Sequence, residues 1–353
     1  MPPLSTRSVL ITGGAGFIGT NVARSYLEKN QPVHIFDNLS RPHVEQNVHD
    51  LLRSYPGKVQ FTHADVRDRR AIEKAIETAG LIYHLAAQVA VTTSLEDPIG
   101  DVETNLMGTL HVLEAVRKSH TSPSLLFTST NKVYGRLASV PVSERRRRHE
   151  PADASLAQSG ISESQPLEFL SPYGCSKGSA DQYVLDYAHS YGIRACVFRM
   201  SCIYGTYQVG SEDQGWVAHF LRQALKGEPI TVYGDGKQVR DLLFVDDLVH
   251  AMHLVHGNMD LAAGQVFNIG GGPQNSSSLL ELIDEIRLLT GNAVNVEWGP
   301  ERLADQRWFI ADTSKIHSLL GWRPHVSIRE GLRTLHEWYL SRGSLVQAQV
   351  QVA

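Results

Sequence analysis

The sequence predicts an α/β fold, a Rossmann-type doubly wound parallel sheet with a smaller C-terminal α/β lobe. Short apolar runs with the length of buried strands alternate with stretches of helical periodicity through the first half of the chain. A glycine-rich turn lies directly between the first apolar run and the first helical stretch. The 353 residues, 42% of them hydrophobic, suffice for one large domain or two smaller ones.

The predicted strands carry few polar side chains, as expected for parallel strands that are buried on both faces. In chain order they are Ser8–Thr12, Val33–Phe36, Val59–Thr62, Leu81–Leu85, Leu125–Ser129 and Ala195–Arg199. Between them, apolar residues three and four positions apart predict helices. These helices are Phe17–Lys29, Val44–Leu52, Arg69–Thr78 and Asp101–Lys118, followed by a helix that carries Tyr173. Strand–helix alternation of this kind predicts a doubly wound parallel sheet.

The turn Gly13-Gly14-Ala15-Gly16-Phe17-Ile18-Gly19 follows the first predicted strand and opens the first helix. Glycines at such a turn let the backbone approach a pyrophosphate, which then lies at the positive end of the helix. The alternative is a flexible turn that binds nothing. We predict a dinucleotide site here, with contacts from Gly13, Gly16, Phe17, Ile18 and Gly19.

Asp37 ends the second strand, where an acidic residue is expected to bind the adenosine ribose. Its carboxylate would repel a 2′-phosphate, which favours NAD over NADP, although the nearby Arg41 weakens this preference. Asp65 follows the third strand and is placed to contact the adenine, or alternatively to cap the next helix. The other predicted cofactor contacts are Asn38, Ser40, Val66, Leu85, Ala86, Ala87 and Gln88.

Tyr173 and Lys177 lie four residues apart and therefore on one face of a helix. A free tyrosine has a pKa of about 10 and is a poor base at neutral pH. A neighbouring ammonium favours the phenolate and lowers that pKa, so that tyrosine can move a proton on or off a hydroxyl group. The pair by itself is weak evidence, because this spacing arises by chance in many helices.

Thr130 ends the fifth predicted strand. Doubly wound sheets place their sites at the carboxyl ends of parallel strands. A hydroxyl group at this position can hydrogen-bond a reacting oxygen and pass its proton to Tyr173; the alternative is a threonine that caps a turn.

The pattern also predicts a division of the chain. We expect residues 1–200 to form an NAD-binding domain, to which segments within about 238–270 return, and residues 201–237 and 271–345 to form a substrate-binding lobe. The stretches Leu242–Val255 and Gln265–Ile269 are expected to return to the main sheet, and Leu279–Leu289 and Ile316–Leu320 to be helices of the small lobe. Residues 136–170 contain three prolines and the run Arg145–Arg148, which predicts a partly irregular insertion with a solvated basic loop.

Charge and composition disfavour several classes of function. The net charge of −4 provides no general basic field for nucleic acid. No apolar segment approaches the ~18 residues of a membrane span, and the N-terminus lacks the features of a signal peptide, so we expect a cytoplasmic protein. Three cysteines do not suggest a disulfide framework, and the histidines show no metal-ligand spacing, so we predict no metal.

Longer segments carry a family resemblance over nearly the whole chain. They are Ser129–Gly135, Ser171–Ala188, Asp213–Val217, Gly236–Asp241 and Glu301–Asp312. Together with the glycine turn they resemble the extended short-chain dehydrogenases/reductases that act on nucleotide sugars. Within that family they are most similar to the CDP-paratose (CDP-tyvelose) 2-epimerases.

The resemblance implies a catalytic set of Thr130, Tyr173 and Lys177 that works on a tightly held NAD. It implies that Arg240 and Arg307 bind the substrate pyrophosphate, although arginines in ordinary surface ion pairs are the alternative. It further places Asn131, Cys202, Gln214 and Trp216 on the substrate side; a buried core tryptophan and an inert packed thiol are the alternatives for Trp216 and Cys202. A homodimer that pairs through the helices before and around Tyr173 is also implied.

One difference from related enzymes narrows the expected reaction. Sugar 4,6-dehydratases and decarboxylases of this family carry Asp or Glu directly after the strand-end Thr or Ser, whereas this chain has Asn131 and Lys132. Elimination is therefore disfavoured. The resemblance implies NAD-dependent inversion of C2 in a CDP-hexose or CDP-deoxyhexose. A UDP-hexose 4-epimerase and a non-catalytic NAD-binding sensor are the alternatives.

Overall fold

The computed structural model describes residues 8–302 and 305–343. Fifteen strands are formed within this part of the chain. They are β1 (Ser8–Thr12), β2 (Val33–Asp37), β3 (Val59–His63), β4 (Ala79–His84), β5 (Ser124–Thr130), β6 (Val142–Glu144), β7 (His149–Pro151), β8 (Ala195–Met200), β9 (Cys202–Tyr204), β10 (Ile230–Tyr233), β11 (Val239–Phe244), β12 (Val266–Ile269), β13 (Ser276–Ser278), β14 (Val296–Gly299) and β15 (Trp308–Phe309).

The same residues form fourteen α-helices. They are α1 (Phe17–Leu27), α2 (Val44–Ser54), α3 (Arg69–Ile76), α4 (Val91–Glu96), α5 (Pro98–Val102), α6 (Gly108–Lys118), α7 (Ala154–Ser159), α8 (Ser171–Tyr191), α9 (Trp216–Lys226), α10 (Val245–Gly257), α11 (Met259–Ala262), α12 (Leu279–Thr290), α13 (Ser314–Leu320) and α14 (Ile328–Ser341). None of the helices in the described ranges is long and apolar enough to cross a membrane.

Seven parallel strands form the main sheet in the order β12-β8-β5-β4-β1-β2-β3. Alternate residues of each strand face opposite layers, so Val9 and Ile11 of β1 pack with helices α1, α2 and α10. Leu10 faces the other layer, which α3, α6 and α8 form. All seven residues of β5 are buried. The predicted doubly wound parallel fold is confirmed.

The smaller sheets lie outside this core. Strand β11 pairs with β9, β13 and β15, and β10 pairs with β14. The expectation that all of Leu242–Val255 returns to the main sheet is therefore wrong for its first residues, since they belong to β11. Helix α10 packs against α1 on the main sheet, and β12 is its last strand. The division into a cofactor domain and a substrate lobe stays a prediction.

The predicted helix Asp101–Lys118 is interrupted. Helix α5 ends at Val102, residues Glu103–Met107 form a turn of π-helix, and α6 begins at Gly108. In this wider turn the side chain of Asn105 faces inward and is buried against α8. Such π-turns are frequent at functional sites, and apolar periodicity does not reveal them.

The insertion 136–170 folds onto the small sheets. It contains the hairpin β6–β7 and helix α7. Arg147 pairs with Asp284 of α12, and Arg148 lies 3.5 Å from Glu281 and donates to Ser276 at 3.0 Å. We expected this loop to be solvated. That expectation is wrong for Arg147 and Arg148, because the acidic N-terminal half of α12 attracts them. No residue of the run Arg145–Arg148 lines the main cleft described below.

Candidate active site

A cleft of about 1120 Å³ opens at the carboxyl ends of the main-sheet strands. The strand order reverses between β1 and β4, and such switch points are where doubly wound sheets bind ligands. The volume exceeds the ~300–1,000 Å³ of a common small-molecule pocket, so two ligands can lie side by side. Residues from the main sheet and from the smaller sheets line it together.

Most of the predicted site residues meet in this cleft. The predicted cofactor residues that line it are Gly13, Gly16, Phe17, Ile18, Gly19, Asp37, Asn38, Ser40, Val66, Leu85, Ala86, Ala87 and Gln88. The catalytic and substrate candidates that line it are Thr130, Asn131, Tyr173, Lys177, Cys202, Gln214, Trp216 and Arg240. Asp65 and Arg307 do not line it.

The glycine turn fits a dinucleotide. A Cβ added at Gly13, whose φ is +69°, would lie 2.7 Å from the backbone nitrogen of Ala86, and one at Gly19 would lie 2.4 Å from the carbonyl oxygen of Gly13. Side chains are thus excluded where a pyrophosphate must approach the backbone. Helix α1 begins after Gly16 without a side-chain cap, so its first N–H groups are open to an anion.

Asp37 also holds the turn together. Its carboxylate accepts hydrogen bonds from the backbone N–H of Ala15 at 3.0 Å and of Leu39 at 2.8 Å. Burial raises the pKa of this carboxyl, and the two backbone donors and the charges of His63 and Arg41 oppose the rise. An acceptor at the end of β2, beside the glycine turn, suits a ribose diol, as the sequence predicts.

The helix cap considered for Asp65 is not seen, and its contact with the adenine stays a prediction. Its carboxylate is held by Arg67 at 2.9 Å and by the Asn38 amide at 2.8 Å, and these contacts lower its pKa to about 2. Asp68, not Asp65, caps helix α3 by accepting from Arg70 and Ala71. The Asp65 side chain therefore orders the loop after β3, whereas its neighbour Val66 reaches the cleft.

Thr130 and Tyr173 meet on the floor of the cleft. Strand β5 ends at Thr130, and helix α8 carries Tyr173 on its first turn; both side chains line the cleft. The tyrosine is only 8% exposed. Burial raises the pKa of Tyr173 to about 12, and the Thr130 hydrogen bond and the Arg41 charge do not offset it. The sequence predicted a lowered pKa for this tyrosine. The groups of the protein around Tyr173 give a raised pKa instead, so this prediction is wrong.

Lys177 lies beneath this pair. Its ammonium donates to the carbonyl oxygen of Thr128 at 2.6 Å and lies 4.2 Å from the centre of the Phe127 ring. Burial lowers the pKa of Lys177 to about 7, although Asp181 and Asp101 favour the charged form. Lys177 therefore hydrogen-bonds to the end of β5. Its spacing from Tyr173 along the helix does not reveal this contact.

Cys202 and Trp216 form part of the opposite wall. The indole N–H of Trp216 lies 3.4 Å from the Cys202 sulfur, and the ring packs edge-on against Phe220. Burial raises the pKa of Cys202, which favours the protonated thiol. Its place on the substrate side stays a prediction. Arg41, from the loop after β2, hydrogen-bonds Gln214 across the cleft.

A carboxylate does enter the cleft, from the far end of the chain. Asp305 accepts from Arg240 at 2.6 Å and lies 3.5 Å from the Lys132 ammonium. Burial would raise its pKa, but the charges of Arg240 and Lys132 hold the pKa of Asp305 below its ordinary value. A carboxylate held between two cations is a poor proton acceptor, so it does not restore the acid missing after Thr130.

Arg240 and Arg307, the two expected pyrophosphate ligands, are not brought together. Arg240 is buried, with its second donor on the carbonyl oxygen of Val239 at 2.7 Å. Arg307 is exposed and lines a neighbouring pocket of about 570 Å³ beside Arg136, which shares Arg302 and Asp305 with the cleft. In the pairing of β15 with β11, Phe309 and not Arg307 lies beside Arg240.

Sequence reasoning did not select several side chains that line the cleft. Besides Lys132 and Asp305 they are Arg41, Tyr207, His219, Arg222 and Arg302. Of these, His219 could have been found, because it lies three residues after Trp216 on the same face of α9. The others are brought in by tertiary contacts between distant segments.

The chain was compared with known proteins. Residues 9–270 match the NAD dependent epimerase/dehydratase family. The CDP-paratose 2-epimerase of Salmonella typhi is 40% identical over 337 residues, which cover 94% of this chain and 98% of that protein.

Two solved structures share both fold and sequence. The UDP-glucose 4-epimerase of Thermotoga maritima, solved with UDP-glucose, is 31% identical, with a TM-score of 0.80 over 95% of this chain and 99% of that one. The dTDP-glucose 4,6-dehydratase DesIV of Streptomyces venezuelae, solved with NAD, is 28% identical, with a TM-score of 0.81 over 95% and 98%. The chain is therefore an enzyme of the NAD dependent epimerase/dehydratase family, and its cofactor is NAD.

Proposed function

We propose that this enzyme inverts C2 of a CDP-activated hexose or deoxyhexose. The observation that carries the proposal is the 40% identity, over almost the whole of both chains, to an enzyme named for that reaction. The site supports it, because Asn131 and Lys132 stand where elimination enzymes need an acid, and the nearby carboxylate of Asp305 is held ionised by Arg240 and Lys132. Oxidation and re-reduction without elimination is the chemistry that remains.

In this proposal the residues of the chain handle the proton and the geometry. Bound NAD would supply reversible hydride transfer at the sugar carbon. Tyr173 accepts the proton of the adjoining hydroxyl group and later gives it back, while the Thr130 hydroxyl orients that oxygen. Thr130 and Arg41 are the groups of the chain that favour the phenolate, against the burial that disfavours it. Lys177, one helical turn further on, would hold the ribose hydroxyls beside the tyrosine.

The substrate lies in the half of the cleft between Trp216 and Arg240. Both side chains line the cleft, and so do Arg222 and Arg302. Guanidinium groups in a partly buried wall bind phosphate oxygens strongly, because their planar donors match them in pairs. We therefore assign the nucleotide and its pyrophosphate to this wall, and the sugar to the space in front of Tyr173.

The test uses purified enzyme in deuterated water without added NADH. CDP-paratose, UDP-glucose and UDP-galactose are incubated separately and followed by NMR. We expect inversion of C2 in the CDP-sugar and no solvent deuterium at the inverted carbon, because the same hydride returns. Inversion at C4 of a UDP-hexose would replace the proposal by the 4-epimerase alternative. Bound NAD with no turnover of any of them would favour a sensor.

We also propose a homodimer, as the family resemblance implies. Apolar side chains are exposed on α4, α5, the π-turn and α8, on the side away from the sheet; they are Leu95, Ile99, Val102, Met107, Tyr183 and Tyr191. Continuous exposed apolar surface of this kind marks an interface. A cytoplasmic location likewise stays a prediction.

Sedimentation at micromolar concentration should give a dimer, and Ile99→Glu should give a monomer, because a buried unpaired carboxylate disrupts an apolar interface. Leu288→Glu on α12, also strongly exposed, is the matched control and should leave the dimer intact. A monomeric parent protein would contradict this proposal.

A further inference from the structure

A buried polar cluster lies behind the catalytic helix. It consists of Gln88, Asp101, Asn105 and Ser176, and we refer to it as the Asp101 cluster. The carboxylate of Asp101 accepts from Gln88 at 2.8 Å, from Asn105 at 3.1 Å and from the hydroxyl group of Ser176. Asp101 is 1% exposed, so water does not solvate this carboxylate. The cluster joins the wall of the cofactor cleft, at Gln88, to the turn of α8 that carries Lys177.

The hydrogen bonds around Asp101 favour its carboxylate form. All three of its side-chain partners are donors, and donors favour a carboxylate over a carboxylic acid. Burial raises the pKa of Asp101, and the hydrogen bonds from Ser176, Gln88 and Asn105 and the charge of Lys177 oppose this rise. Asp101 has no ion pair within 4 Å among residues 8–302 and 305–343. A buried charge of this kind requires a compensating charge elsewhere.

Lys177 is a buried group of the opposite charge. Its side chain is buried, and its ammonium contacts a carbonyl oxygen and a ring face but no carboxylate in the described parts of the chain. Asp181, one turn further along α8, is bound by Arg199 through two hydrogen bonds of 2.9 Å. Asp181 also favours the charged form of Lys177, but Arg199 shares its negative charge. Asp101 is the carboxylate near Lys177 that no arginine or lysine contacts.

Other titratable groups lie on neighbouring elements of the fold but do not supply this charge. They are His84 on β4, Arg199 and Cys196 on β8, Tyr173 on α8, Lys132 on the turn after β5, Arg41 on the loop after β2, and Glu114 on α6. Burial lowers the pKa of His84 to about 3, which keeps it neutral, and burial raises the pKa of Cys196 and Tyr173. Glu114 is paired with Arg117 and Lys118.

We propose that Asp101 is a positioning residue of the catalytic site. Its carboxylate is the counter-charge that keeps the Lys177 ammonium protonated in the buried site, and its hydrogen bond to Ser176 fixes the adjoining turn of α8. The role of Lys177 in catalysis rests on the proposed function. The effect of the Asp101 charge on Lys177 is independent of the proposed function.

Removing the charge of Asp101 should lower the pKa of both Lys177 and Tyr173. A nearby carboxylate raises the pKa of a lysine and of a tyrosine, and Asp101 acts on both Lys177 and Tyr173. Without it, Lys177, whose pKa is already about 7, loses its proton at lower pH. The pKa of Tyr173 falls as well, so the acid and alkaline limbs of a pH–rate profile both move to lower pH.

The experiment follows Lys177 directly in the full-length protein without substrate. The protein is labelled with [¹³Cε]lysine, and the Lys177 resonance is identified by its loss in Lys177→Met. We expect its midpoint to fall by about one pH unit or more in Asp101→Asn. Ser176→Ala is the matched control, because it removes one hydrogen bond of the cluster and keeps the carboxylate; its midpoint should stay within about 0.3 of the parent value. Asp101→Ser serves as a second neutral variant if Asp101→Asn does not fold.

An unchanged Lys177 midpoint in a folded neutral variant would overturn the proposal, and so would an equal fall in Ser176→Ala. The pH profile of kcat/KM on the nucleotide sugar is the second readout, with the shift to lower pH expected for Asp101→Asn alone. Because the NMR titration needs no turnover, failure of the proposed function would leave its result interpretable.

Discussion

Tyr173→Phe should lower the rate of epimerisation by about 10²–10⁴-fold or more, because a positioned proton carrier contributes that much. The tyrosine hydroxyl lines the cleft together with Thr130 and is the group there that can take and return the sugar proton. NAD should stay bound, since the glycine turn and Asp37 are untouched. Single-turnover kinetics with the nucleotide sugar, together with the NAD content of the purified variant, measure both effects.

Tyr187→Phe is the matched control for this experiment. Tyr187 lies on the same helix, and its hydroxyl donates to Glu114 at 3.0 Å, away from the cleft. It should lose one hydrogen bond and keep activity within about twofold, as expected for a small change in stability. Full activity in Tyr173→Phe would exclude Tyr173 as the proton carrier.

Asp181→Leu should destabilise the protein by about 3–5 kcal/mol, because it leaves a buried arginine without its partner. Asp181 and Arg199 are almost completely buried and share two hydrogen bonds of 2.9 Å between α8 and β8. Arg199 retains only a 3.3 Å contact to the Tyr134 hydroxyl and the face of that ring. Urea unfolding at 25 °C measures the change in the free energy of unfolding.

The double variant Asp181→Leu/Arg199→Met should recover most of this loss, since apolar side chains of similar size replace a buried ion pair at little cost. Asp260→Ala, which breaks the exposed Arg194–Asp260 pair, should cost less than about 1 kcal/mol. A double variant as unstable as Asp181→Leu would show that packing, and not an uncompensated charge, explains the loss.

The main sheet follows from the sequence because buried parallel strands are short and uniformly apolar. Strand β1 is predicted to the residue, and the other strands of this sheet to within two residues at either end, including β12 in the returning segment Gln265–Ile269. The helices of the cofactor half follow equally well from their apolar periodicity. The π-turn at Glu103–Met107 does not, since it keeps a helical pattern and differs only in its hydrogen bonding.

The site could be predicted where it lies on strand ends and helix starts. Thr130, the glycine turn and Tyr173 lie on such boundaries, and the structure brings them to one cleft. Asp305 could not be predicted, because it reaches Lys132 and Arg240 only through the tertiary fold. For the same reason the sequence could not show that Arg307 is exposed at another pocket.

By itself the sequence determined the sheet, the dinucleotide turn and the presence of Thr130, Tyr173 and Lys177 in one site. These depend on local periodicity and on the rule that parallel strands end at one edge of a sheet. Only the tertiary structure decided the protonation of that site. The pKa of Tyr173 rises and that of Lys177 falls because both are buried, and the carboxylates that act on them come from α5 and α8. Burial and the distance between charges are properties of the folded chain, and no spacing along the sequence contains them.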